Sequence, residues 1–175
     1  AVTKPVEILP VADEDPWVAA LGMVIQPADG DGPIAEAERG STSQGDTTWT
    51  FRAKTPRHLR EAIAAAVSAG DVEPRPDHLE LVFEALVDRE SGDLHTAYVV
   101  AKDKGLALES GTKAAYLEDG PMPVILLKMT ESDGERFADL TQEYLGKRLA
   151  MVVDGVCLSA PTVHEKITGG EVQLT

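Results

Sequence analysis

The stretch Gly146–Pro161, GKRLAMVVDGVCLSAP, constrains the chain more than any other. Leu149 to Val153 is a short apolar run ending in two β-branched residues, and Val156 to Ala160 is a second run. Only Asp154-Gly155 separates them. A type I′ turn needs positive φ at both central residues, so this dipeptide between apolar runs predicts a tight β-hairpin. Pro161 has no N–H for a ladder, which stops the second strand near Ala160. Upstream, Phe137, Leu140, Thr141, Tyr144 and Leu145 repeat at helical spacing, while Glu135, Asp139, Gln142 and Glu143 fall on the wet side. Ser132 with Glu135 three residues on predicts a capping box at the helix start. A helix therefore runs into a hairpin.

From the start, Ala1 to Asp15 mixes prolines with acids and reads as an extended arm, followed by an apolar strand over Trp17–Ile25. Pro27 to Asp46 is rich in Gly, Asp and Ser, and reads as a long loop with at most one short helix at Ile34–Glu38. Thr47 to Ala53 alternates as a half-buried strand should. Thr55 is placed as the N-cap of a helix, with Pro56 at its first position. Leu59, Ala62, Ile63, Ala66 and Val67 form its apolar stripe, and Gly70 is a natural stop. Strands over His78–Val87 and His95–Ala101 flank a turn at Glu90–Asp93. Lys102 to Gly111 marks the boundary between lobes. Lys113–Leu117 and Met122–Met129 read as strands joined through Glu118–Pro121, and Glu171–Leu174 as a last strand. The expectation is an α+β fold of two small lobes, residues 1–101 and 102–175. Each has an antiparallel sheet with a helix packed on one face, in β-α-β-β order. No residue-level repeat underlies this.

Composition narrows the function. A formal charge of −14 argues against phosphate-backbone or anionic-membrane binding, since either needs a cationic face. The hydrophobic fraction of 43% is that of a folding chain. There is no run of 18 apolar residues, the N-terminus carries no signal-peptide pattern, and the absence of Asn removes any N-glycosylation sequon. With one cysteine there is no intrachain disulfide and no cysteine-based zinc site.

Candidate chemistry is thin. Asp29-Gly30-Asp31-Gly32 hints at calcium, but Pro33 stands where the next oxygen ligand belongs, so a turn cluster is the better reading. His58, His78, His95 and His164 show no metal-ligand spacing, and the His164-Glu165 pair makes no site alone. Cys157, inside a strand, is expected to be a buried and inert thiol. Asp154 is explained by the turn. No G-x-G-x-x-G, Walker or G-x-S-x-G element occurs, so nothing argues for catalysis. Lys147-Arg148 reads either as helix-end cations offsetting the dipole or as a contact patch, and the former weighs more.

Several of these residues together resemble the SecD family, the membrane-anchored accessory subunit of the bacterial Sec export machinery. They are Phe137 and Thr141, then Gly146, Lys147, Leu149 and Ala150, the Asp154-Gly155 turn, Ser159-Ala160-Pro161, and Ile167 with Gly169-Gly170. The resemblance covers roughly Lys113 to Thr175 and lies in the first large extracytoplasmic domain of that family. It implies that these positions are mainly structural, with no cofactor and no catalysis. It also implies a periplasmic or extracytoplasmic module that binds unfolded preprotein or other Sec components and assists export. Exposed edge strands or a groove between lobes would suit strand addition by a peptide. The family continues towards a membrane helix, so the chain is expected to be an excised domain or a free-standing soluble relative. A free-standing secreted or periplasmic domain using the fold for a small ligand or a structural role is the alternative. Ala1–Ala101 carries no matching motif.

Overall fold

The computed structural model describes residues 6–25, 34–90, 92–108, 113–117 and 124–174. The Asp29–Gly32 cluster, the Glu118–Pro121 connection, and Ser91 in the Glu90–Asp93 turn lie outside the described residues. Within them run β1 (Val6–Pro10), α1 (Pro16–Val24), β2 (Ala35–Ser41), β3 (Thr47–Ala53), α2 (Pro56–Ser68), β4 (Leu79–Glu84) and β5 (His95–Ala101). They continue as β6 (Leu106–Ala107), β7 (Lys113–Leu117), β8 (Val124–Lys128), α3 (Glu131–Glu143), β9 (Leu149–Val153), β10 (Val156–Ser159) and β11 (Glu171–Leu174). The fold is α+β, as expected.

The elements with strong local signals fall where the sequence puts them. Thr55 caps α2 by accepting the His58 N–H, Pro56 opens the helix, and Gly70 takes φ +77° just past its end. Leu59 and Ala66 are buried, with Ala62, Ile63 and Val67 packed against the same core. Asp154 (φ 53°) and Gly155 (φ 78°) form the tight reversal between β9 and β10. The sequence capping box is displaced by one half-turn: Thr130, not Ser132, caps α3 by accepting the Asp133 N–H at 3.2 Å. β4 is also shorter than expected, leaving Leu86 and Val87 exposed beyond its end.

Two expectations are overturned. Trp17–Ile25 is no strand but helix α1, begun by Asp15, which accepts the Trp17 N–H, and by Pro16 at the first turn. The run is apolar almost throughout, so no period separates helix from strand. Gly22 matters to its docking, since a β-carbon there would lie 2.3 Å from the Trp49 indole. Within the stretch expected to be a loop with at most a short helix at Ile34–Glu38, Ala35–Ser41 is strand β2, although Ala, Glu and Arg are good helix formers. Seven consecutive pairs with β3, from Ala35↔Ala53 to Ser41↔Thr47, override that propensity. Residues 6–10 of the expected extended arm are strand β1, paired to β9 on one side and β6 on the other.

The β-α-β-β order occurs twice in the chain, as β3-α2-β4-β5 and β8-α3-β9-β10. The first lies within one sheet. The second does not: β8 sits in a three-stranded antiparallel sheet, β11-β8-β7, whereas β9 and β10 sit in an eight-stranded sheet, β2-β3-β5-β4-β10-β9-β1-β6. Strands from both sides of residue 101 thus share the large sheet, joined where β10 pairs in parallel with β4.

Alternation along the strands builds two layers of core. On one face, α1 and α2 cover Phe51, Leu79, Ala97 and Val99, while α3 covers Ile8, Leu149 and Met151 and reaches Leu127 and Val172 of the small sheet. Each fully buried side chain of this size contributes about 1.5–3 kcal/mol. The opposite face closes on itself. The Val11↔Val100 bridge and the bond from the Ala12 N–H to the Val99 carbonyl bring the exit of β1 against β5. The strands β5-β4-β10-β9-β1 therefore curl around Leu9, Val11, Val82, Tyr98, Val100, Ala150, Val152 and Cys157.

Candidate partner-binding surface

Most of the family-pattern positions gather around one device, which laces residues 161–170 to α3. After Glu143 the chain turns at Gly146 (φ +79°), whose N–H donates to the Val163 carbonyl. Val163 returns a bond to the Lys147 carbonyl, and the Leu149 N–H donates to Pro161. Thr141, fully buried, donates to the Ala138 carbonyl and accepts the Ile167 N–H, each at 3.0 Å, so its hydroxyl leaves nothing unsatisfied. The Met129 N–H donates to the Gly170 carbonyl, bringing Gly170 against Gly134 of α3. Phe137, Leu149 and Ile167 fill the space beneath. Ala150 faces the curled interior. Asp154 and Gly155 stand apart at the hairpin tip, exposed; at the exit from β10, Ser159 and Ala160 are half-buried and Pro161 is exposed.

Lys147 and Arg148 serve neither as dipole partners nor as a free patch. They lie beyond the α3 cap, and the last turn of that helix carries no base. Lys147 pairs with Glu14 at 3.0 Å. Arg148, its side chain 11% exposed, grips both oxygens of Asp13 through Nε (3.0 Å) and Nη2 (2.7 Å). It also donates to the Trp49 carbonyl and Thr50 Oγ1, and lies 5.1 Å over the Tyr98 ring. Asp13 in turn accepts the Trp49 N–H at 2.7 Å. This staple ties the β1–α1 linker, β3 and β9 together. Its members are far apart in the chain, and no local spacing announces it.

Among the described residues, two clefts bear on this surface. One, of about 320 Å³, lies over the β1–α1 linker, and its charges are largely spent on one another, as in Lys147–Glu14 and His78–Asp15 (3.0 Å). The other, of about 670 Å³, runs between the first turns of α3 and residues 166–170.

Cys157 is fully buried, as its place in a strand predicts. Burial, reinforced by the nearby Glu84 carboxylate, pushes its thiol up to about 12. Tyr98 is raised by burial and by its hydrogen bond to Glu84. A raised folded-state value means the folded chain keeps a proton that the unfolded chain releases. The stabilisation is therefore complete below the ordinary thiol value near 9 and is lost as pH rises towards 12. We expect stability to fall above pH 9 by up to about 1.4 kcal/mol per pH unit from this thiol, with Tyr98 adding at higher pH. Cys157→Ala should flatten the first part of that fall in urea titrations; an unchanged pH profile would contradict the assignment.

Comparison with known proteins places this architecture. The family model described as SecDF, P1 head subdomain, matches residues 84–175. The chain is 42% identical over 64 residues to the protein translocase subunit SecD of Acidaminococcus fermentans, covering 37% of this chain and 15% of that protein. It is 28% identical over 104 residues to SecD of Calditerrivibrio nitroreducens, covering 57% and 20%. A solved structure of SecDF, described as a membrane component that enhances protein export, superposes with a TM-score of 0.35 at 18% identity, over 96% of this chain and 84% of that one. The chain belongs to the SecDF P1 head family. The match begins inside β4, upstream of the Lys113 boundary read from the sequence. This chain spans 15% and 20% of the length of the two SecD relatives. Among the described residues no helix is long and apolar enough to cross a membrane.

Proposed function

We propose that this chain is a non-catalytic, extracytoplasmic protein-binding module that assists Sec-dependent export by holding extended segments of preprotein or of another Sec component. Family membership supplies the export setting. The observation that carries the binding mode is the small sheet β11-β8-β7: among the described residues, β7 and β11 each have β8 as their one strand partner. An edge strand presents a row of unpaired N–H and C=O groups. An extended chain added there gains main-chain hydrogen bonds irrespective of its sequence, which suits a partner that must accept many different polypeptides. One face of that sheet is anchored through Leu127 and Val172 to the core beneath α3, so the edge is held in place while it is offered. The family-pattern residues, on this reading, are the anchoring device and not the contact surface.

The test is titration of the chain with a chemically unfolded, alkylated secretory precursor, read by hydrogen exchange. Saturable binding in the micromolar range with slowed amide exchange in β7 or β11 is expected. Absence of saturable binding, or protection confined to the large sheet, would overturn the reading.

A further inference from the structure

The register of β11 fixes which of its main-chain groups are open. The Met129 N–H donates to the Gly170 carbonyl at 2.8 Å, and the pairs Glu171↔Lys128, Val172↔Leu127, Gln173↔Leu126 and Leu174↔Ile125 follow. Bonded and non-bonded pairs alternate along an antiparallel ladder. Val172 and Leu174 are therefore bonded to β8, whereas the N–H and C=O groups of Glu171 and Gln173 point to the open side. Among the described residues none of these four groups has a bonding partner. They form two donor–acceptor pairs about 6.8 Å apart. The side chains alternate with them. Val172, 8% exposed, packs into the cluster of Leu127, Phe137 and Ile167, while Glu171 and Gln173 are exposed. Glu171 has Lys128 at 3.8 Å, with both side chains more than half exposed.

We infer that β11 receives an antiparallel segment of the partner carrying, in chain order, a polar residue, an apolar residue and a lysine or arginine. The polar residue lies opposite Gln173 and the base opposite Glu171, and each exchanges two main-chain bonds with the residue it faces. The apolar residue lies opposite Val172, on the face that continues the core beneath α3. The base meets a carboxylate whose existing ion pair is long and wet. Cross-strand matches of both kinds favour such a segment over one with an acid at either place. The inference rests on the protein-binding reading and adds to it an edge, a direction and a residue pattern.

The experiment titrates the full chain with a peptide whose central triplet is Thr-Val-Lys, with its Thr-Asp-Lys and Thr-Val-Glu counterparts, and with N-methylated forms of the first. Exchange should slow at the Glu171 and Gln173 amides and stay unchanged at Val172, which β8 already holds. Methylating the peptide nitrogen of the Thr or of the Lys should weaken binding about 10-fold, because a ladder bond is lost. Methylating that of the Val, whose N–H points away from β11, should not. The Asp and Glu counterparts should each bind about 3-fold more weakly. In the chain, Gln173→Pro removes an outward N–H and leaves the bonds to β8 in place, so it should keep the β8 amides protected and lose about 10-fold in peptide affinity. The inference is overturned if no peptide binds, if the three triplets bind alike, or if methylation at the Val weakens binding as much as at its neighbours. It is equally overturned if protection appears instead at Ala114 and Tyr116, which the same alternation turns outward on β7. If it fails while the unfolded precursor still binds with slowed exchange in the small sheet, the edge-strand reading stands without this preference; if the precursor fails to bind as well, both fall.

Discussion

Replacing Arg148 with Met is expected to lower the stability of the chain by about 3 kcal/mol or more, because it strands a charge in place of removing one. The guanidinium holds Asp13 through two nitrogens, and both side chains are only 11% exposed. Without it the Asp13 carboxylate keeps the Trp49 N–H and loses its counter-charge. The Trp49 carbonyl and Thr50 hydroxyl lose a donor, and the Tyr98 ring loses the cation over its face. Urea unfolding of Arg148→Met, Asp13→Asn and the double variant forms a cycle whose expected coupling is at least 1 kcal/mol, as for contacting members of one network. The double variant should be closer to wild type than Arg148→Met, since no unpaired carboxylate remains. A loss below about 1 kcal/mol for Arg148→Met would mean that the staple behaves as an ordinary surface pair.

The second large effect is expected at Phe137. This side chain is 1% exposed and belongs to the cluster where α3 touches both sheets, with Leu127 and Val172 on one side and Leu149 and Met151 on the other. Phe137→Ala should cost about 3–5 kcal/mol, from lost burial and from the cavity left behind. For a chain of this size that lowers the thermal midpoint on the order of 10 °C. Phe137→Leu keeps most of the volume and should cost less than half as much. Hydrogen exchange gives the sharper reading. Amides of β8 and β11 should lose protection in Phe137→Ala before those of β3 and β5, because α3 is what ties the small sheet to the large one. Uniform loss across both sheets would contradict that division of labour. Since the proposed binding edge lies on the small sheet, the same variant should weaken precursor binding under conditions where the chain stays folded.

Local chemistry made some elements legible and left others opaque. Helix α2 could be read because Thr55, Pro56 and Gly70 each act within a turn of where they stand, and its apolar stripe has one period. The β9–β10 reversal could be read because Asp154 and Gly155 tolerate positive φ. Helix α1 could not, since a run with almost no polar residue has no face to display. Strand β2 was opaque for the opposite reason: its residues favour a helix, and only pairing with β3 makes them a strand. Glu135 and Asp139 of the α3 cleft stood in plain view on the wet helical side, but Glu131 fell before the expected cap at Ser132, and nothing in the chain said that residues 166–170 would form the facing wall.

By itself, then, the sequence determined the α+β class, the helix-into-hairpin unit with its SecD-like pattern, and the buried state of Cys157. Those depend on turn, cap and period signals carried by neighbouring residues. Only the tertiary structure decided that β1 enters the large sheet beside β9, that β10 takes β4 in parallel, and that Arg148 closes on Asp13. Each joins segments tens to more than a hundred residues apart, and such pairings are selected by burial of the whole chain and leave no mark at either partner alone.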